Sequence, residues 1–217
     1  MVMRALDLFC CAGGAGMGLH RAGFEVVGVD IKPQPNYPFT FIQGDATRPP
    51  VDLADFDFIW ASPPCQRYTA LNHIKKNDHP DLVAPIRELL KASGKLYAIE
   101  NVAGAPLINP IRLCGTSFGL GITLDGVRYE LQRHRYFECN FFALQPPCDH
   151  RHDVVGIYGS GEREKIPGKR GFSISPVEHR REIMQMPWAG RHEIAEAIPP
   201  AYSEYIAREA MKILRHG

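Results

Sequence analysis

The sequence has no apolar run near the length needed to span a bilayer. Residues Met1 to Leu6 lack the extended apolar stretch of a secretory leader, so neither export nor membrane insertion is expected. The six cysteines, at 10, 11, 65, 114, 139 and 148, make no compact disulfide framework. A reduced, cytoplasmic protein is the expectation. Charge of one sign is also missing. The net charge is only +1, which excludes a global field for capturing polyanions, so contact with nucleic acid would need local patches. There are no repeats and no low-complexity segments, which excludes solenoids and linker-like chains. What remains is an ordinary globular composition, 45% hydrophobic and 23% charged, over 217 residues, enough for one domain with its own core.

The most informative stretch is Phe56 to Gln66. Phe56 to Ala61 reads as a buried strand. Ser62-Pro63-Pro64 cannot continue a sheet, so Cys65 falls just past a strand's carboxyl end on a stiff support. That edge is where open α/β sheets bind ligands. A thiol there can be reactive, although a small buried hydrophobe is the alternative role for a free cysteine.

Upstream, Arg4 to Phe9 reads as a strand, Cys10 to Gly16 as a glycine-rich loop, and Met17 to Ala22 as a helix stopped by Gly23. A second strand, Phe24 to Val29, ends at Asp30. Glycines admit a ligand to the backbone and a strand-end carboxylate accepts ribose hydroxyls, which is the logic of a nucleotide-cofactor site. Phe39 to Gln43 predicts a third strand followed by Asp45, which reads either as a contact to a cofactor base or as a turn cap. Helical spacing runs from Asp81 to Ala92, and strand Lys95 to Ile99 delivers Glu100-Asn101-Val102 to the edge that carries Cys65.

Beyond this the pattern weakens. Ile111 to Phe118 and Leu120 to Val127 look hairpin-like. Alternation through Arg133-His134-Arg135 predicts both arginines on one face of a strand. From Phe142 to Phe172, Pro and Gly mark loops. Residues Arg151 to Arg181 hold seven Lys/Arg against four Asp/Glu, a modest basic patch containing Tyr158 and Phe172. Cys139, Cys148, His150 and His152 are a candidate metal set, but their spacing is not a recognised finger and ordinary loop histidines explain them as well, so no metal is expected. Ser175-Pro176-Val177-Glu178 is a capping box before a helix running to about Met186, and a last amphipathic helix covers Ala201 to Leu214.

Taken in order, these pieces resemble the cytosine-C5 DNA methyltransferases, over most of the chain. Asp7-Leu8-Phe9-Cys10-Cys11-Ala12-Gly13-Gly14 is similar to the family's first motif, which binds S-adenosylmethionine. Ser62-Pro63-Pro64-Cys65-Gln66 resembles the catalytic loop, Glu100-Asn101-Val102 the motif of the catalytic glutamate, and Gln132-Arg133-His134-Arg135 the arginine motif. Glu193 to Pro200 with the last helix resembles the final motif. The resemblance implies a doubly wound, Rossmann-like α/β sheet. It implies Cys65, Glu100, Arg133 and Arg135 as catalytic residues. It implies Phe9, Cys11, Gly13, Gly14, Asp30, Ile31, Asp45, Ala46, Glu196 and Ala197 as contacts to S-adenosylmethionine or its product S-adenosylhomocysteine. Cys11 replaces a usual glycine, and Glu196 stands where the final motif normally has asparagine.

The implied chemistry follows from the base. Cytosine C5 is a poor nucleophile until a thiolate adds at C6, which assigns Cys65 as nucleophile, Glu100 as partner of N3 and the exocyclic amine, and the arginines as orienting groups. The base must be flipped out or single-stranded. The resemblance is to compact, phage-type members, with DNA as partner and a homo-oligomer or accessory specificity protein left open; an RNA-directed relative and a non-catalytic binding module are the competing readings. The expected organisation is a catalytic core over residues 1–137, a short basic loop-rich DNA-recognition region over 138–174, and a helical part over 175–217 that returns to the core. So small a recognition region predicts a short, relaxed target of roughly two to four base pairs.

Overall fold

The computed structural model describes residues 2–68, 79–157, 171–174 and 176–216. Five strands run parallel: β1 (Arg4–Leu8), β2 (Glu25–Asp30), β3 (Thr40–Gln43), β4 (Phe58–Ala61) and β5 (Leu96–Asn101). With β6 (Ile111–Leu113) and β9 (Arg135–Cys139) they form a seven-stranded sheet in the order β3-β2-β1-β4-β5-β9-β6. The direction of winding reverses between β1 and β4, so this is the doubly wound arrangement expected, with an antiparallel extension where β9 pairs with β5 and β6. Ala5, Leu6 and Leu8 of β1 and Phe58, Ile59, Trp60 and Ala61 of β4 are fully buried. Such near-continuous apolar strands are what a parallel sheet covered on both faces requires.

One face is covered by α2 (Val83–Ser93), which buries Val83, Ile86 and Leu90. The other is covered by α1 (Gly14–Arg21) and the last helix, α5 (Pro200–His216). These two helices approach closely because Gly18 has no side chain: a Cβ there would lie 2.0 Å from Ser203 Oγ and 2.2 Å from the Pro200 carbonyl. Ser203 in turn donates to the Ala15 carbonyl at 2.8 Å. The C-terminal helix is thus packed directly under the glycine-rich loop.

A second sheet of four strands, order β11-β10-β8-β7, lies outside this frame. It joins the hairpin β7 (Gly121–Leu124) and β8 (Val127–Glu130) to β10 (Asp153–Gly156) and β11 (Gly171–Ser173), and both of these pair in parallel. The loop-only reading of 142–172 is therefore corrected: these short strands take their order from distant partners, which local pattern does not reveal. The expected boundary at 137 falls inside β9, and the second sheet draws on residues before and after it. Much of the basic patch, including Tyr158, and Ser175 of the expected capping box lie outside the described residues. The helix after Pro176, α3 (Val177–Met184), ends two residues before the expected Met186. A short helix, α4 (Arg191–Glu196), precedes α5. No helix among the described residues is long and apolar enough to cross a membrane.

Candidate active site

Because β1 to β5 are parallel, their carboxyl ends share one edge, and that edge collects Phe9, Cys11, Asp30, Asp45, Cys65 and Glu100. The glycine loop turns sharply, with positive φ at Phe9 (61°), Cys11 (44°) and Gly13 (79°). α1 begins at Gly14, three residues before the expected Met17. Asp30 closes β2, and its carboxylate accepts the Cys11 N–H at 3.0 Å and the Lys32 N–H at 3.0 Å. Ile31, directly after it, exposes 66% of its surface, an apolar side chain left open beside a carboxylate. Asp45 is exposed and accepts both the Thr47 N–H (2.8 Å) and the Thr47 hydroxyl (2.7 Å), the turn-cap role; these bonds hold its carboxyl below the usual range. Ala46 is buried beneath it.

The final motif meets the same loop. Gly14 lies against Ile198 and Ala197, and Trp188, which sequence reading passed over, donates to the Ala12 carbonyl at 2.7 Å. Glu196 is exposed at the end of α4. Burial, then the charges of Asp30 and Glu196, push the Cys11 thiol up to about 12. The two departures from the family pattern are therefore neighbours. The donor chemistry suits an adenosyl cofactor: loop backbone, a strand-end carboxylate for ribose hydroxyls and an open aliphatic surface for a base.

Cys65 follows β4 through Ser62, Pro63 and Pro64. Asn101, the last residue of β5, donates to the Pro63 carbonyl at 2.9 Å, so the second residue of the Glu-Asn pair fastens the cysteine loop. Glu100 lies in β5 itself, one step before its end, and is 8% exposed. Arg135 Nε stands 3.2 Å from Glu100 Oε1. The Ser62 hydroxyl also bonds the Glu100 carboxyl and accepts the Trp60 indole N–H at 2.9 Å. Burial raises the Glu100 carboxyl; Arg135, Ser62 and Arg133 pull the other way. Burial also raises the half-buried Cys65 thiol, the charge of Glu100 adds to the rise, and Arg135 and Arg133 offset it.

The arginine motif differs from expectation. Regular strand begins only at Arg135, and Arg133 does not share its face. Arg133 is 5% exposed and donates to the carbonyls of Ala195 (2.7 Å) and Ile157 (3.3 Å), while Arg135 pairs with Glu100. The carbonyls that recruit Arg133 are distant in sequence, so alternation misassigns it. Tyr202 of α5, also missed, donates to the Arg133 carbonyl and ties the last helix to the motif. The candidate metal set divides as well: Cys148 and His150 come together, but Cys139 is in β9 beside β5 and His152 faces Glu130 at 3.9 Å.

An open doubly wound sheet with a glycine loop, a strand-end acid and a loop cysteine on one edge is a methyltransferase architecture. It is shared along nearly its whole length with a protein described as a DNA modification methyltransferase encoded within an E. coli prophage. That match has TM-score 0.64 and 15% identity, covering 98% of this chain and 99% of that one. The S. pombe Dnmt2 methyltransferase matches with TM-score 0.61 and 12% identity, covering 98% and 99%. In sequence, residues 3–107 match the model of the C-5 cytosine-specific DNA methylases. The type II methyltransferase M.AgeI of Thalassovita gelatinovora is 25% identical over 61% of this chain, a match spanning 38% of that relative's length.

Proposed function

We propose that this protein transfers a methyl group to C5 of cytosine in DNA, with Cys65 as nucleophile. The observation that carries this is the convergence of Cys65, Glu100 and Arg135 at the ends of adjacent strands β4 and β5, beside the glycine loop of β1. Phe9, Cys11, Gly13 and Gly14 with Asp30 and Ile31 would hold S-adenosylmethionine. Asp45, Ala46, Glu196 and Ala197 border the same loop edge. When bound, that cofactor supplies an electrophilic methyl group.

The chain's own residues then divide the work. The Cys65 thiolate adds to C6 of an extruded cytosine, which makes C5 nucleophilic. Glu100, whose carboxyl burial raises, takes up a proton as the base binds and donates it to N3 while its other oxygen accepts from the exocyclic amine. This protonation also helps the thiol: a neutral Glu100 no longer opposes the Cys65 charge. Arg135 fixes the carboxyl plane. Arg133 is a positioning residue, holding its segment to the carbonyls of residues 157 and 195. After methylation a base removes the C5 proton, and the C6–S bond breaks to return the thiolate.

DNA is the substrate this reading names, and the second sheet with the region 138–174 is the surface proposed to read it. Incubating the purified full chain with labelled S-adenosylmethionine and either DNA or tRNA tests the proposal. Label in DNA as 5-methylcytosine is expected. Label only in tRNA, or none with cofactor bound, refutes it.

A further inference from the structure

Among the described residues, one group of metal-ligating side chains forms away from the catalytic thiol. Cys114, His134, Cys148 and His150 each offer one ligand atom, and these atoms all lie within 4.8 Å of one another. Cys114 Sγ is 3.4 Å from His150 Nε2, and Cys148 Sγ is 3.9 Å from His134 Nε2. Tetrahedral zinc has bonds of about 2.3 Å to sulfur and about 2.0 Å to imidazole, which places its ligand atoms roughly 3.3–3.8 Å apart. The cluster is already close to those edges. We propose that these four residues form a structural zinc site.

The donor set is that of a closed structural centre: two soft thiolates and two imidazoles, neutralising the ion and leaving no position for water or substrate. Supporting donors stand behind the sulfurs. The Thr116 hydroxyl is 3.2 Å from Cys114 Sγ and Arg112 Nη2 is 3.7 Å from Cys148 Sγ, groups that stabilise thiolates. Sequence spacing hid the set because its members come from three segments: the end of β6, the residue before β9, and the stretch after Pro146-Pro147.

The surroundings explain what a metal would do. Between β9 and β10 the backbone from Asn140 to His152 has no regular structure. Phe141 packs against Phe58 of the core, but Phe142 at 77% exposure and Leu144 at 65% face outward. A segment with so little core of its own needs another anchor. Asn140 bonds Tyr97 and Lys95 at its start; further along, Gln145 Oε1 accepts the Arg112 N–H, the Pro147 carbonyl accepts from Ser117, and the Leu144 carbonyl accepts from Tyr205. Zinc would fasten it to β6 and to His134. His134 lies between Arg133 and Arg135, so the same ion would hold the arginine motif beside Glu100. The zinc inference stands on the cluster and does not depend on methyl transfer.

The full chain should be purified with its tag removed, under reductant and without chelators, and its metal measured by mass spectrometry. The expected content is about one zinc ion per chain. Replacement by Co(II) should give the visible bands of a tetrahedral site with thiolate-to-metal charge transfer. Cys114→Ser and Cys148→Ser should lose the ion, while Cys139→Ser and His152→Ala keep it. If the ligand variants fail to fold, wild-type content and the Co(II) spectrum still decide. Three results overturn the proposal: content well below one ion that added zinc does not raise, undiminished binding in Cys148→Ser, or a Cys114–Cys148 cross-linked peptide in protein kept under reductant.

Discussion

The two sheets of this molecule are specified in different ways. The parallel part of the large sheet is built from strands that bury both faces and follow one another in chain order around a single switch point. Each strand leaves one chemical group at the common edge, so local sequence states both fold and chemistry. The small sheet is built from strands of three or four residues; β7 and β8 pair locally as a hairpin, but β10 finds its partners β8 and β11 across long intervening stretches. Its order, and that of the adjoining loop, rests on pairings and side-chain ties that no short window contains. The proposed chemistry is concentrated in the first region.

The largest effect is expected where the first region acts alone. Cys65→Ala should abolish methyl transfer while S-adenosylmethionine still binds, because the thiol and the glycine loop are separate segments of the edge. Wild-type protein should also become trapped on DNA carrying 5-fluorocytosine, whose C5 fluorine cannot leave as a proton. Retained methylation in the alanine variant would remove Cys65 from the mechanism. Glu100→Gln should reduce turnover by about 10²–10³-fold, the usual loss for one preorganised donor. It should also make Cys65 alkylate faster at neutral pH, since the opposing charge is gone. A slower alkylation would mean that Glu100 orders the loop instead.

The joint between the regions can be broken separately. Arg87 of α2 makes two 2.7 Å bonds to Glu138 of β9, with side-chain exposures of 9% and 4%. Arg87 also donates to the Pro106 carbonyl at 2.6 Å, and Glu138 accepts the Ile108 N–H at 2.7 Å. Arg87→Ala leaves a buried carboxylate without its cation and should cost about 3–5 kcal/mol in urea unfolding. A cost under about 1 kcal/mol would show that β9 is held by its ladder alone.

Legibility follows the same division. The strand-loop-helix-strand unit with Asp30, the placement of Cys65 and the arrival of Glu100 were readable because buried parallel strands are apolar throughout and stop abruptly. Asp45 was readable only as an alternative, because one carboxylate can cap a turn or meet a ligand; here it bonds Thr47. Arg133 was misplaced, since period-two alternation holds only where the chain has ladder partners. Tyr202, Trp188 and Cys114 carried no local signal at all, because each acts through a partner far along the chain.

A smaller effect concerns the charge beneath the cofactor edge. Asp7 is fully buried, and that burial pushes its carboxyl up to about 8, despite bonds from Tyr37 and the Gly16 backbone that favour ionisation. Its Oδ1 has no hydrogen-bond partner among the described residues. A folded value above the unfolded 3.8 means that folding favours the protonated form. The stabilising contribution is whole below pH about 3.8, falls through the interval, and is gone as pH rises past about 8. Asp7→Asn removes this titration. Its stability relative to wild type should therefore improve from pH 5 to about pH 8 and level off above it, by a few kcal/mol at most. Parallel stability curves for the two proteins would show that Asp7 ionises freely in the fold.

The smallest expected effect is at Cys11, where the chain departs from the pattern of the family it resembles. Its φ of 44° lies in the left-handed region, which costs a side-chain-bearing residue about 1–2 kcal/mol and glycine almost nothing. Glycine also loses about 0.4–1 kcal/mol through the greater freedom of its unfolded state. Cys11→Gly should consequently gain up to about 1 kcal/mol in thermal or urea unfolding. The Cys11 N–H bond to Asp30 is a backbone contact and survives the change, so affinity for S-adenosylmethionine should not fall. Burial, with the charges of Asp30 and Glu196, keeps the thiol protonated, so it is not needed as an anion. A loss of stability in the glycine variant would show that packing of the Cys11 thiol outweighs its backbone strain. A loss of cofactor affinity alone would show instead that the thiol takes part in holding the ligand.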